Sequence, residues 1–204
     1  MTSPQPHRSA KSSHYRMTRR SFIGSTAAGG AAWLTGGLAS LFNENARGGT
    51  GFPFVEATIM QLQAAMVAGQ LSARELVQGY LNRIQQLNPT LHAVIETNPN
   101  AIAIAVGLDN ERKRGHVRGL LHGIPLLVKD NIATLDNMQT TAGSLALYGS
   151  HVPADAPLIQ KLRAAGAIIL GKSNLGEWAN FRGFDNVYPL AVGWSARGGD
   201  TKNA

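Results

Sequence analysis

The chain has 204 residues, 44% of them hydrophobic and 15% charged, which excludes a disordered chain and provides enough apolar surface for one ordinary domain core. The net charge is +7, but Arg8, Lys11, Arg16, Arg19 and Arg20 supply five of those charges, with no acid among residues 1–20. The remaining +2 over residues 21–204 leaves no basic stripe for a phosphate backbone, so a nucleic-acid partner is not expected.

There is no cysteine, which excludes disulfides and thiolate zinc sites, and the six histidines contain no HExxH-type pair. His116 and His122 flank a glycine-rich turn and read as loop histidines.

In chain order, residues 1–16 are polar, basic and expected to be unstructured. Thr18-Arg19-Arg20-Ser21-Phe22-Ile23-Gly24 follows, and behind it runs an uncharged, Ala- and Gly-rich segment, residues 25–41. Paired arginines, then a mildly apolar run, then small residues in Gly37-Leu38-Ala39 resemble a twin-arginine export signal, with cleavage expected after Ala39. That resemblance implies the twin-arginine export machinery as a partner and a periplasmic or extracellular destination in a bacterium. The run carries too many glycines for a stable membrane span. Residues 1–39 are therefore read as the export signal, 40–53 as a Gly- and Asn-rich linker, and 54–204 as the folded domain.

Residues 56–68 carry apolar side chains at helical spacing, with Gly69 placed to end the helix. Ser72-Ala73-Arg74-Glu75 is a capping box that opens a second helix, expected to stop before Pro89. Residues 91–95 read as a strand, and Asn98-Pro99 as the cap of a helix over 100–113. Gly123-Ile124-Pro125 is a turn into a short buried strand at Leu126, Leu127 and Val128. Lys129 stands where that strand stops, followed by Asp130 and Asn131. The carboxyl end of a strand is where ligands sit in α/β proteins, so a cation there is a candidate for chemistry. Its plainer reading is a surface lysine paired with Asp130.

Beyond a loop through Thr140-Thr141-Ala142-Gly143-Ser144, residues 145–148 form a helical turn. Asp155 is placed to cap a helix over 156–165, which Gly166 ends. Residues 167–170 read as a second buried strand and 171–174 as the loop after it, with Lys172 a structural loop charge and Ser144 and Ser173 loop or cap residues. Residues 182–204 are glycine-rich and show no closing element. The order of elements predicts an α/β fold, a mixed β-sheet covered by α-helices.

Gly166-Ala167-Ile168-Ile169-Leu170-Gly171-Lys172-Ser173 satisfies the written pattern of a phosphate-binding P-loop. The four residues between the glycines should be loop, with N–H groups turned to phosphate. Here they are Ala, Ile, Ile and Leu, which favour a buried strand, so nucleotide binding is not expected. The folded part has no GxGxxG, and no dinucleotide is expected either.

Three segments together resemble the amidase signature family. They are residues 123–131 (GIPLLVKDN), residues 140–144 (TTAGS) and residues 162–178 (LRAAGAIILGKSNLGEW), and Gly193-Trp194-Ser195-Ala196-Arg197-Gly198-Gly199 adds a fourth. Asp200 and Ala204 depart from the family pattern. The resemblance implies hydrolysis of a small-molecule amide by a Ser–cis-Ser–Lys triad, without cofactor or metal, and assigns the lysine of that triad to Lys129. A neutral lysine can accept a proton, and burial is what makes a lysine neutral, so Lys129 is expected in a dry setting. The family's two serines lie in a Gly/Ser-rich stretch that these 204 residues do not contain. The reading is therefore the N-terminal part of an amidase, truncated before its serine-rich core and inactive by itself. The alternative is a secreted non-catalytic binding protein derived from half such a fold.

Overall fold

The computed structural model describes residues 47–48, 52–184 and 193–203. The export signal expected over 1–39 lies outside the described residues, as does most of the 40–53 linker. The described strands are β1 (Arg47–Gly48), β2 (Phe52–Pro53), β3 (Val94–Thr97), β4 (Pro125–Lys129), β5 (Ile168–Ser173), β6 (Trp194–Ser195) and β7 (Gly199–Asp200). The α-helices are α1 (Ile59–Val67), α2 (Ala73–Leu91), α3 (Ala101–Lys113) and α4 (Pro157–Ala164). Among the described residues no helix is long and apolar enough to cross a membrane.

Local sequence sets the helix starts. Thr58 and Gln61 form a reciprocal capping box on α1, and Ser72 and Glu75 form one on α2. The first turn of α2 is also tied to α3, because Asp109 accepts from the N–H groups of Ala73 (2.8 Å) and Arg74 (3.0 Å). A carboxylate at a helix N-terminus is favoured by the dipole as well as by the hydrogen bonds.

Three expected boundaries differ. Helix α2 runs through Pro89 to Leu91 and ends on a left-handed His92 (φ 51°). Its end is held from outside, since the Asn88 side chain donates to the Val94 carbonyl and accepts from the Val94 N–H, both at 2.8 Å. Asn98 is not the cap of α3. It is buried, and its amide donates to the Ile169 carbonyl at 2.8 Å, so it joins the β3 end to β5. Asp155 does not cap α4 either; it accepts from the Leu135 N–H at 2.6 Å and from Arg163 Nε at 3.0 Å, fastening the 133–136 loop to the helix.

The central sheet is mixed, in the order β3-β5-β4, with β3 antiparallel and β4 parallel to β5. It has helices on both faces, as expected. Ile168 and Leu170 of β5 pack with Leu62, Leu76, Val77, Ala105 and Leu108 of α1, α2 and α3. Ile169 packs on the opposite face with Val128, Met138 and Ile159 of α4. Between β4 and β5 the register steps from Leu126↔Ile169 to Leu127↔Gly171, so Leu170 has no opposite number. Such a bulge re-aims the side chains beyond it. Gly171 sits at the bulge because β3 passes close by: a Cβ there would lie 2.5 Å from the Glu96 carbonyl oxygen.

The bulge also revises the end of β5. Gly171, Lys172 and Ser173, expected in a loop, are strand residues. The P-loop reading fails for the anticipated reason, because Ile168, Ile169 and Leu170 are buried strand. The 193–203 segment, expected to lack a closing element, forms the β6–β7 hairpin.

His122 is not a loop-surface histidine. It is 1% exposed, accepts from the Arg118 N–H at Nδ1 (3.2 Å) and lies 3.0 Å from the Leu108 carbonyl through Nε2, which makes it a satisfied core group in the Nε2–H tautomer. Gly166 packs against it at φ +85°, where an added Cβ would fall 2.7 Å from His122 Cα. Gly166→Ala is expected to cost about 2–3 kcal/mol through left-handed backbone and overpacking together, measured as a shift of the urea midpoint.

Candidate active site

Beyond the bulge, alternation along the paired ends of β4 and β5 separates two lysines. Lys129 pairs with Ser173 in parallel register, and Val128 pairs with Lys172. Val128, Asp130 and Lys172 are buried, whereas Lys129 is exposed and Ser173 partly exposed. Lys129 therefore stands at the carboxyl end of β4, as the sequence places it, but the dry setting expected for it is not formed by the described residues. The run before it is not a fully buried strand: Leu127, two residues away, is 43% exposed. The side chain of Lys129 makes no hydrogen bond to a described residue. The plainer expectation, pairing with Asp130, also fails, because Asp130 turns to the opposite face.

The buried lysine is Lys172, at 0% exposure. Its ammonium donates to the Ile132 carbonyl at 2.6 Å and to Thr140 Oγ1 at 3.0 Å, closing the loop that follows β4. Burial pushes its pKa below the ordinary lysine range, while Asp130, Asp136 and Glu96 pull the other way. The expectation of a loop charge is thus corrected. Lys172 is an interior cation on a central strand, kept there by carbonyl and hydroxyl acceptors and by neighbouring carboxylates.

Asp130 is the centre of this cluster. One carboxylate oxygen, Oδ2, accepts from the Thr141 N–H (3.3 Å), the Thr141 hydroxyl and the Gly143 N–H (3.0 Å). The other, Oδ1, is buried without a hydrogen-bond partner and lies 3.6 Å from Arg197 Nη1. Arg197 reaches in from the turn of the hairpin. It also pairs with Glu96 of β3, donates to Thr141 Oγ1 at 3.4 Å and stacks 5.7 Å from the centre of the Tyr148 ring. The hairpin backbone follows suit: Arg197 N–H donates to the Gly143 carbonyl at 2.9 Å, and Ala196 N–H to Glu177 at 3.0 Å. Ser144 is buried and caps the 3₁₀ turn Leu145–Leu147, as expected for a structural hydroxyl.

Sequence reasoning missed Asp130, Glu96 and Arg197 as one group, since they come from three distant segments. The one available signal was Lys172, which follows the apolar run 167–170 without a turn residue other than Gly171. Among the described residues no group of three or more His, Asp or Glu side chains is placed to hold a metal ion.

A family model described as Amidase matches residues 75–203, more than half of the chain and the whole of the cluster just described. The chain belongs to the amidase family. A putative amidase of Schizosaccharomyces pombe is 48% identical over 147 residues, covering 72% of this chain and 24% of its own length. A probable amidase of Arabidopsis thaliana is 49% identical over 154 residues, covering 74% and 29%. Among solved structures, the native peptide amidase of Stenotrophomonas maltophilia matches with a TM-score of 0.69 at 54% identity, over 74% of this chain and 30% of that one. This amidase-family chain thus spans about a quarter of the length of the curated relatives it matches.

For Lys172 the linkage sign follows from its lowered value. Folding disfavours the charged form, so between the lowered folded value and the unfolded value of about 10.4 the unfolded state binds more protons, and stability from this group rises with pH. Lys172→Met is expected to lose about 3 kcal/mol at neutral pH by leaving the buried carboxylates undercompensated. Its deficit relative to the parent should widen as pH rises through that alkaline window, read from urea denaturation at a series of pH values.

Proposed function

We propose that this chain is the lysine-bearing part of an amide-bond hydrolase, with Lys129 as proton acceptor. The observation that carries the reading is the position of Lys129 at the carboxyl end of a parallel strand, within the residues matched by the amidase model. In the mechanism that the family resemblance implies, a neutral lysine takes a proton relayed through one serine. A second serine attacks the amide carbonyl, backbone N–H groups hold the oxyanion, the amine departs with the proton, and water releases the acid from the acyl-enzyme. Neither serine is among these 204 residues, so the chain by itself is proposed to lack turnover. The desolvation that a neutral Lys129 needs would likewise come from groups outside the described residues.

Peptide amides are the first substrates to test, given the likeness to a peptide amidase. Residues 54–203 would replace the corresponding part of the Stenotrophomonas maltophilia peptide amidase, and ammonia release would be followed. The graft is expected to turn over, and Lys129→Ala in it to lower kcat by about 10³-fold or more. A graft that works equally well with alanine at 129 would remove Lys129 from the mechanism. The unfused 204-residue chain is expected to release no ammonia.

We further propose export by the twin-arginine route, supported by Arg19-Arg20 ahead of the uncharged run to Leu41. Arg19→Lys with Arg20→Lys is expected to leave the protein in the cytoplasmic fraction of a bacterial host. Undiminished periplasmic protein from that double variant would count against it.

A further inference from the structure

The direction of Lys129 depends on its neighbour. Lys129 has no side-chain hydrogen bond to a described residue, so what the fold fixes there is the backbone of residues 128–131 from which the side chain leaves. That backbone is fixed through Asp130. Its N–H donates to the Ser173 carbonyl at 3.2 Å, its carbonyl accepts from Ala142 at 3.2 Å, and its carboxylate holds Thr141 and Gly143. One oxygen of that carboxylate, Oδ1, has no hydrogen bond, and Arg197 is the cation set against it at 3.6 Å. A fully buried carboxylate with an open lone pair stays in place only if a nearby charge compensates it. Arg197 is itself held on three further sides, by Glu96, Thr141 and the Tyr148 ring. It is also the residue through which the 193–203 hairpin grips the 140–144 loop.

We propose that Arg197 is a positioning residue for Lys129: by bridging Glu96 and Asp130 it locks the end of β4, and with it the direction of the lysine, to the hairpin. The role in catalysis rests on the reading of Lys129 as proton acceptor; the mechanical coupling does not. Arginine suits the task because its planar fork engages two carboxylates at once and stays charged.

The test on the intact 204-residue chain is amide hydrogen exchange by NMR at Asp130, Thr141, Ala142 and Gly143, scaled to the β5 core amides Ile168 and Ile169. Arg197→Gln is expected to speed the first group relative to the second by about tenfold or more, as local opening does. Arg163→Gln serves as control. It breaks a comparable bridge to Asp136 and Asp155 and should lower the melting temperature while leaving that ratio unchanged. Arg197→Lys, which keeps the charge but not the fork, should fall between. In the peptide-amidase graft, Arg197→Gln is expected to lower kcat by about 10–100-fold with KM nearly constant, and Arg197→Lys to recover part of it. An unchanged exchange ratio in Arg197→Gln overturns the proposal, as does a changed ratio with kcat intact. Should the unaltered graft show no turnover, the amidase reading fails there, and the exchange ratio alone decides whether Arg197 holds the β4 end.

Discussion

The buried carboxylate of Asp130 is the constraint around which the described site is built. It follows the last residue of β4, it is wholly removed from solvent, and its charge has to be answered within the fold. Two N–H groups and a hydroxyl from the 141–143 segment answer one oxygen, and Arg197 faces the other. Lys172 lies close enough for Asp130 to act on its ionisation. Each partner comes from a different segment. The charge of one side chain therefore joins the strand end, the loop after it, the central strand and the hairpin.

A strand bulge decides which lysine belongs to that interior. Up to Leu170 the side chains of β5 alternate between the two helix-covered faces, and the extra residue at that point resets the phase. Lys172 then falls on the face with Val128 and Asp130, while Lys129 and Ser173 fall on the other. Two lysines on adjacent positions of paired strands thus have opposite environments. One is enclosed, with two hydrogen bonds, and the other is left to the solvent side.

The fold was legible where the signal was local. Helical spacing over residues 56–68 announces α1, the Ser72 capping box announces α2, and the apolar runs at 126–128 and 167–170 mark two strands of the sheet. Boundaries set by distant partners were not legible. Nothing near Pro89 says that Asn88 will be tied to Val94, and nothing near Asp155 says that it will serve Leu135 and Arg163 instead of the helix it precedes. The same holds for the site. The position of Lys129 at a strand's end could be read from the sequence. Its exposure and the burial of Lys172 could not, because both follow from a bulge that no local pattern marks.

The contact between Glu96 and Arg197 joins residues 101 apart in the sequence. Closing a flexible loop of that length costs about 4 kcal/mol of chain entropy, more than one partly exposed ion pair returns. The pair therefore cannot draw the hairpin onto the sheet by itself. It forms on a scaffold whose strands and turns have already shortened the span, so the bridge from Glu96 to Asp130 lasts only as long as the packing of the sheet does.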